Sequence, residues 1–197
     1  MGNAAELRRM TADDFLVWDS TQTIKHEFVA GEIFAMAGSQ EAHGTLSGNL
    51  YMALRQHLAG SPCRTFINDM KLRVEAADAY FYPDVLVTCS AADTTDRLIK
   101  REALLVVEVL SPSTAAYDRG DKFAYYRQLG SLQEYLLVDP EQRRCDLYRK
   151  NAEGLWVLHP TEPEAGVSLA SVGLDISAAT LWAEVPQVER TPPPTDK

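Results

Sequence analysis

The sequence predicts an α/β domain built on a mixed central β-sheet flanked by helices, with extra β-hairpins near both ends. Three observations carry this expectation. Leu46, Leu50, Leu54 and Leu58 recur at helical spacing. Phe81 to Thr88, Ala103 to Leu110 and Glu134 to Val138 are short, nearly continuous apolar runs, the pattern of strands covered on both faces. From the leucine helix onward the order is helix, three strands, helix, strand. Strands in a run, rather than strict alternation with helices, favour a mixed sheet over a doubly wound parallel one.

The elements follow in chain order. Thr11 with Asp14 is a capping-box variant that opens a short helix through Phe15 and Trp18. Lys25 to Val29 and Glu32 to Met36, joined at Ala30-Gly31, read as a hairpin. The long helix runs from about His43 to Ala59, with Gly60 as its stop. Arg64 to Val74 alternates apolar and polar residues, with an irregularity expected near Asn68-Asp69. Asp118 to Leu129 reads as a second helix with Asp118 as N-cap and Gly130 past its end. Arg143 to Arg149 and Leu155 to His159 pair as a hairpin. Val167 to Leu174 is then expected as an edge strand before a terminal helix near Leu181 and Trp182.

At 197 residues and 46% hydrophobic content, the chain is sized for one domain with a substantial core, assigned to residues 1–185. Residues 186–197, with Pro192, Pro193 and Pro194, are expected to be a disordered tail. Met1 to Met10 has no apolar stretch of a signal peptide, and no run is long enough to span a bilayer, so a cytoplasmic protein is expected. Cys63, Cys89 and Cys145 are odd in number and lack a CxxC pair, which predicts three reduced structural thiols. The net charge of −9 argues against a generic nucleic-acid binder. Any basic groove must be local, with Lys71, Arg73, Lys100, Arg101, Arg119, Arg127, Arg143 and Arg144 as candidate members.

The chemistry rests on two acids set in apolar strands. Glu108 lies inside Leu104-Leu105-Val106-Val107-Glu108-Val109-Leu110, and Asp84 inside Tyr82-Pro83-Asp84-Val85-Leu86-Val87. A carboxylate among such neighbours is costly to desolvate unless something positive meets it. Each acid alone reads equally as a strand end emerging into water or as the partner of an arginine. If the two strands are neighbours, both acids project toward one point, where a divalent cation is the simplest way to keep both ionised. Two carboxylates with waters and phosphate oxygens suit Mg²⁺, or Mn²⁺.

Pro83-Asp84 followed by Glu108-Val109-Leu110 resembles the PD-(D/E)xK nuclease signature with its lysine missing. The surrounding residues are similar to the Uma-type restriction endonuclease family, of restriction-endonuclease-like fold. These are Val29-Ala30-Gly31-Glu32, His43, Tyr82-Pro83-Asp84-Val85, Val107-Glu108-Val109-Leu110-Ser111-Pro112-Ser113-Thr114, Asp118, Lys122 and Glu134 to Asp139, within a resemblance covering about residues 10 to 180. The most specific part is the EVLSPST stretch placed after PD and before a D-x-x-x-K helix. Ala30 departs from the pattern, standing where many members have an aspartate.

The resemblance implies a metal held by Asp84, Glu108 and the Val109 carbonyl. Glu32 and His43 are implied as outer residues around it, while from pattern alone His43 reads first as a residue that caps or precedes its helix. Leu110 occupies the signature lysine position, and the resemblance gives that role to Lys122, with Lys71 in reserve. From pattern alone Lys122 reads as a solvated helix lysine, and Tyr125 and Tyr126 as helix packing. The implied activity is metal-dependent hydrolysis of phosphodiesters in nucleic acid, DNA above all. Many nucleases that cut both strands act as symmetric pairs, so a homodimer is one expected assembly. Two rival readings stand beside this activity: a nuclease fold that has lost catalysis and binds a partner, and a hydrolase of a small phosphate ester.

Overall fold

The structure is a computed structural model and describes residues 10–36 and 38–187. The N-terminal stretch without a signal-peptide pattern, except Met10, and the Pro-rich tail from residue 188 onward lie outside the described residues.

Helix α1 (Ala12–Asp19) begins where the sequence places it, with the Asp14 N–H donating to the Thr11 hydroxyl at 3.1 Å. Strands β1 (His26–Val29) and β2 (Glu32–Ala35) form the expected hairpin. Ala30 and Gly31 both take positive φ, 47° and 96°, which matches the turn to the twist of its strands. An aspartate at position 30 would tolerate that conformation better than alanine does. Helix α2 (Glu41–His57) lies slightly N-terminal of the expected bounds and buries Leu46, Leu50 and Leu54.

Two stretches that read as single strands are each divided between sheets. Arg64 to Val74 splits into β3 (Arg64–Ile67) and β4 (Lys71–Val74), and the next apolar run into β5 (Ala79–Phe81) and β6 (Val85–Thr88). Asn68 turns the chain at φ 54°, and Pro83, which has no N–H to give a ladder, marks the second crossing. After β7 (Ile99–Lys100) and β8 (Ala103–Val109) comes one helical segment in three pieces. These are α3 (Ala115–Tyr117), a π-helical turn (Asp118–Lys122) and α4 (Phe123–Tyr126). Asp118 is therefore not an N-cap, because its N–H already donates to the Thr114 carbonyl at 2.9 Å as part of the helix.

Strands β9 (Glu134–Asp139), β10 (Arg144–Lys150) and β11 (Trp156–Pro160) follow, the last two as the expected hairpin. The predicted edge strand at 167–174 is instead a separate hairpin, β12 (Val167–Leu169) with β13 (Leu174–Ile176), because residues 170–173 turn back at Gly173, φ 64°. The short helix α5 (Ala178–Leu181) closes the described chain.

The mixed central sheet has six strands in the order β11-β10-β9-β8-β6-β3, with β8 and β9 parallel and the other neighbours antiparallel. A five-stranded sheet, β2-β1-β5-β4-β7, gathers the N-terminal hairpin with the strands that cross over. One face of the central sheet packs on α2, α5 and the β12–β13 hairpin. The other meets α4 and the five-stranded sheet, through Leu72, Phe81, Leu86, Val106, Phe123 and Tyr126. Helix α1 covers the outer side of the second sheet through Phe15, Phe28 and Tyr80. The result is the restriction-endonuclease-like α/β arrangement.

The three cysteines depart from expectation. Cys63 and Cys89 form a disulfide, and only Cys145 is a free thiol. The reason is register: Arg64 pairs with Thr88 across β3 and β6, so the residues flanking them face each other. Spacing along the chain carries no sign of this.

Candidate active site

Asp84 and Glu108 reach the same rim of the central sheet from neighbouring antiparallel strands. Val85 pairs with Val107, and one further step of that register sets Asp84 opposite Glu108. Asp84 Oδ2 accepts the Val109 N–H at 2.7 Å, so the acid is tied to the strand that carries its neighbour. A strand residue turns its N–H and C=O toward the same side, which aims the Val109 carbonyl at this rim as well.

Lys122 completes the group. Its Nζ lies 3.0 Å from Glu108 Oε1, 3.1 Å from Glu27 Oε1 and 3.7 Å from Asp118 Oδ1. Lys122 is 6% exposed and Asp118 3%, so the π-helical turn directs both inward instead of leaving the lysine in water. Leu110, in the signature lysine position, is on the same strand face as Glu108 but is buried among apolar side chains. The ammonium thus arrives from the helix and not from the strand. The Tyr126 hydroxyl donates to Glu108 Oε1 at 2.8 Å, a bond that expectation of mere packing overlooks.

His43, in the first turn of α2, places Nε2 3.1 Å from Asp84 Oδ2. Glu32 is not brought in. It is exposed beside the β1–β2 turn and, among the described residues, makes no ion pair or side-chain hydrogen bond with the group. Glu27 is there instead, accepting the Tyr82 N–H at 3.3 Å as well as facing Lys122. The sequence held one sign of this: Glu27 shares a strand face with Val29, an acid on a side that otherwise enters the core.

The electrostatics are unbalanced toward acid. Glu27, Glu108 and Asp118 converge on one ammonium, and Asp84, close enough to act on Glu108, faces His43. Burial, followed by Asp84, Asp118 and Glu27, pushes the Glu108 carboxyl well above its ordinary pKa despite Lys122. Burial and then Glu27 and Asp84 raise Asp118 too. For Lys122 burial works against the charge, but Glu108, Glu27 and Asp118 outweigh it and hold its pKa well above that of a free lysine.

Next to this group lies a second, balanced cluster. Asp19 accepts from Tyr82 Oη at 3.2 Å, pairs with Lys71 Nζ at 2.8 Å and meets His26 Nδ1 at 3.3 Å. Lys71, the reserve lysine, is thus committed to Asp19. Of the other basic residues named from the sequence, Arg127 and Arg144 make no ion pair among the described residues, and the rest are engaged one by one. Arg73 meets Glu75 and Asp78, Arg101 meets Asp96, Arg119 meets Asp139 and Asp146, and Arg143 meets Glu164. Lys100 caps the Asp93 and Asp96 carbonyls.

Fold and site define the class: a restriction-endonuclease-like nuclease fold with two strand-borne acids at the sheet rim. The chain belongs to the family described as Uma2, "Putative restriction endonuclease", which it matches over residues 12–180. Two relatives from Synechocystis agree over most of their length. "Uncharacterized protein slr1290" is 36% identical over 179 residues, 91% of this chain and 94% of that protein. "Uncharacterized protein sll1609" is 35% identical over 156 residues, 78% and 88% of the two chains. The crystal structure of a "putative nuclease belonging to DUF820" from Anabaena variabilis superposes with a TM-score of 0.73 at 19% identity, covering 88% of this chain and 97% of that one. That likeness speaks for the fold. No helix among the described residues is long and apolar enough to cross a membrane.

Proposed function

We propose that this protein is a cytoplasmic, divalent-metal-dependent endonuclease that hydrolyses phosphodiester bonds in DNA. One observation carries the reading: Asp84 and Glu108 sit opposite each other at a sheet rim, in a buried group with more acid than its single ammonium can balance. A cation is what such a donor set lacks. Among the described residues no three His, Cys, Asp or Glu side chains form a ready cage. Asp84, Glu108 and the Val109 carbonyl would therefore hold the ion with waters and substrate oxygens, the mode of Mg²⁺ or Mn²⁺. When bound, the ion lowers the pKa of a coordinated water and draws charge from the scissile phosphate.

The chain's own groups do the rest. His43 and the Val109 N–H fix the Asp84 carboxylate, and Tyr126 fixes Glu108. Lys122 remains protonated and keeps a positive charge beside the place where negative charge grows on the phosphoryl oxygens. Cutting both strands of a duplex calls for two such sites, and a symmetric homodimer is the simplest way to supply them.

One reading competes: a nuclease fold that binds a partner without cutting. The apolar burial of Leu110 and the separate pairing of most of the basic residues favour it. Calorimetric titration with Mn²⁺ separates the two. The nuclease reading expects one site on the wild type and none on Glu108→Ala, and absence of binding to the wild type overturns it.

A further inference from the structure

The nuclease reading gives no task to Glu27, although this acid faces the lysine on which that reading relies. Glu27 Oε1 accepts the Tyr82 N–H at 3.3 Å and lies 3.1 Å from Lys122 Nζ. The same ammonium is 3.0 Å from Glu108 Oε1. It therefore bridges β1 of the five-stranded sheet and β8 of the central sheet. The Glu27 side chain is only 10% exposed, and those of Lys122 and Glu108 less, so the ammonium is met by acids rather than by water.

The bridge contains a conflict. Glu108, proposed to take a divalent cation, is already paired with a cation of the protein. Among the described residues no hydrogen bond or ion pair reaches Glu108 Oε2, which leaves that oxygen for the ion, while Lys122 sits on Oε1 of the same carboxyl. Two cations on one buried carboxylate repel strongly. An ammonium in this position needs a second partner if it is to stay close, and two acids are at hand. Asp118 Oδ1, on the same π-helical turn, is 3.7 Å away, beyond hydrogen-bond reach. Glu27 is already within reach, on another sheet, and the Tyr82 N–H fixes its oxygen. Glu108 Oε1 for its part keeps the Tyr126 hydroxyl at 2.8 Å, so it is not left unpaired when the ammonium withdraws.

We infer that Glu27 is the positioning residue that retains Lys122 when a divalent cation occupies Glu108, a role that presupposes the nuclease reading. In the metal-free protein Lys122 is shared between Glu108 and Glu27, and it passes to Glu27 as the cation binds. Glu108 is thereby freed of the ammonium that competes for it. Lys122 nevertheless stays at the site, tied through Glu27 to the backbone of Tyr82, two residues before Asp84. Glu27 acts through Lys122 and touches neither the cation nor the substrate. The rival role for Glu27, a third carboxylate on the cation, gives the opposite result in the experiments that follow.

The test is a double-mutant cycle on Mn²⁺ affinity, read by calorimetry on the full chain as wild type, Glu27→Gln, Lys122→Met and the two combined. Glutamine keeps an oxygen for the Tyr82 N–H and removes the charge that holds the ammonium. Glu27→Gln is expected to weaken Mn²⁺ binding about 30-fold while Lys122 is present and about threefold once it is methionine. Equal losses in the two backgrounds overturn the inference, since a ligand or a distant charge acts whether or not the lysine is there. A second measurement needs no variant to fold: the crystal structure of the wild type with Mn²⁺. Lys122 Nζ is expected on Glu27 and withdrawn from Glu108. An ammonium still on Glu108, or Glu27 coordinating the ion, overturns the inference. Failure of the wild type to bind Mn²⁺ overturns the nuclease reading and this role with it, whereas binding with equal losses overturns the role of Glu27 alone.

Discussion

Two buried polar clusters flank the Tyr82-Pro83-Asp84 crossing, and they are built on opposite terms. Around Asp19, one carboxylate is met by an ammonium, a phenol and an imidazole. Burial opposes its charge, yet the bond to Lys71 and its neighbours bring the Asp19 pKa below the ordinary aspartate value. Around Glu108, three carboxylates share one ammonium and Asp84 adds a fourth negative group nearby, and the Glu108 pKa rises. A cluster satisfied by its own residues secures α1 and β4 to the segment leading into Asp84. A cluster left short of positive charge costs stability on its own and is suited to receive a cation. The same segment is held from both sides, by Glu27 at the Tyr82 N–H and by Asp19 at the Tyr82 hydroxyl.

The contrast is open to attack by substitution. Lys122→Met removes the only ammonium from the acidic cluster, and an uncompensated buried charge costs about 3–5 kcal/mol. Chemical denaturation checks this, and added Mn²⁺ is expected to recover part of the loss. Asp19→Asn strands Lys71 in the balanced cluster and is expected to cost about 2 kcal/mol at neutral pH. The sign with pH follows from the lowered pKa. The stability Asp19 provides is complete above the unfolded value of 3.8 and is lost as pH falls through the lower folded value. Acid-denaturation curves of wild type and variant therefore begin to approach each other only below the unfolded value of 3.8 and meet below the lowered folded value.

Glu108→Gln points the other way. It removes a charge that is costly where it sits while Glu27 and Asp118 still face Lys122, so the metal-free protein gains about 1 kcal/mol as activity is lost. A loss of stability in Glu108→Gln contradicts the view that the cluster carries surplus acid. Glu32→Ala is the smallest: exposed and apart from the group, it is expected to change stability by no more than about 0.5 kcal/mol and to leave cleavage unchanged.

Much of this was legible in the sequence, for identifiable reasons. The apolar runs of β8 and β9 and the leucine spacing of α2 are local signals, and both lead to the right elements. Asp84 and Glu108 stand out because acids in apolar strands announce themselves by desolvation cost, and the fold sets them beside Lys122. What failed is non-local. Alternation reports that Arg64 to Val74 is extended, but not that Asn68 hands the chain from one sheet to another. Glu27 and the Cys63–Cys89 pair depend on which strands become neighbours, which no local pattern encodes. Asp118 looked like a cap because a carboxylate before an apolar helix usually is one. Here the helix begins earlier, and a π-helical turn buries it.

The central claim meets its most direct test in a cleavage assay on supercoiled plasmid, with Mg²⁺, with Mn²⁺ and with chelator. The wild type is expected to nick or linearise the DNA with either metal and not with chelator. Asp84→Ala and Glu108→Ala are expected to fall by at least about 100-fold while remaining folded. Cleavage by Asp84→Ala at the wild-type rate in Mg²⁺ contradicts the account.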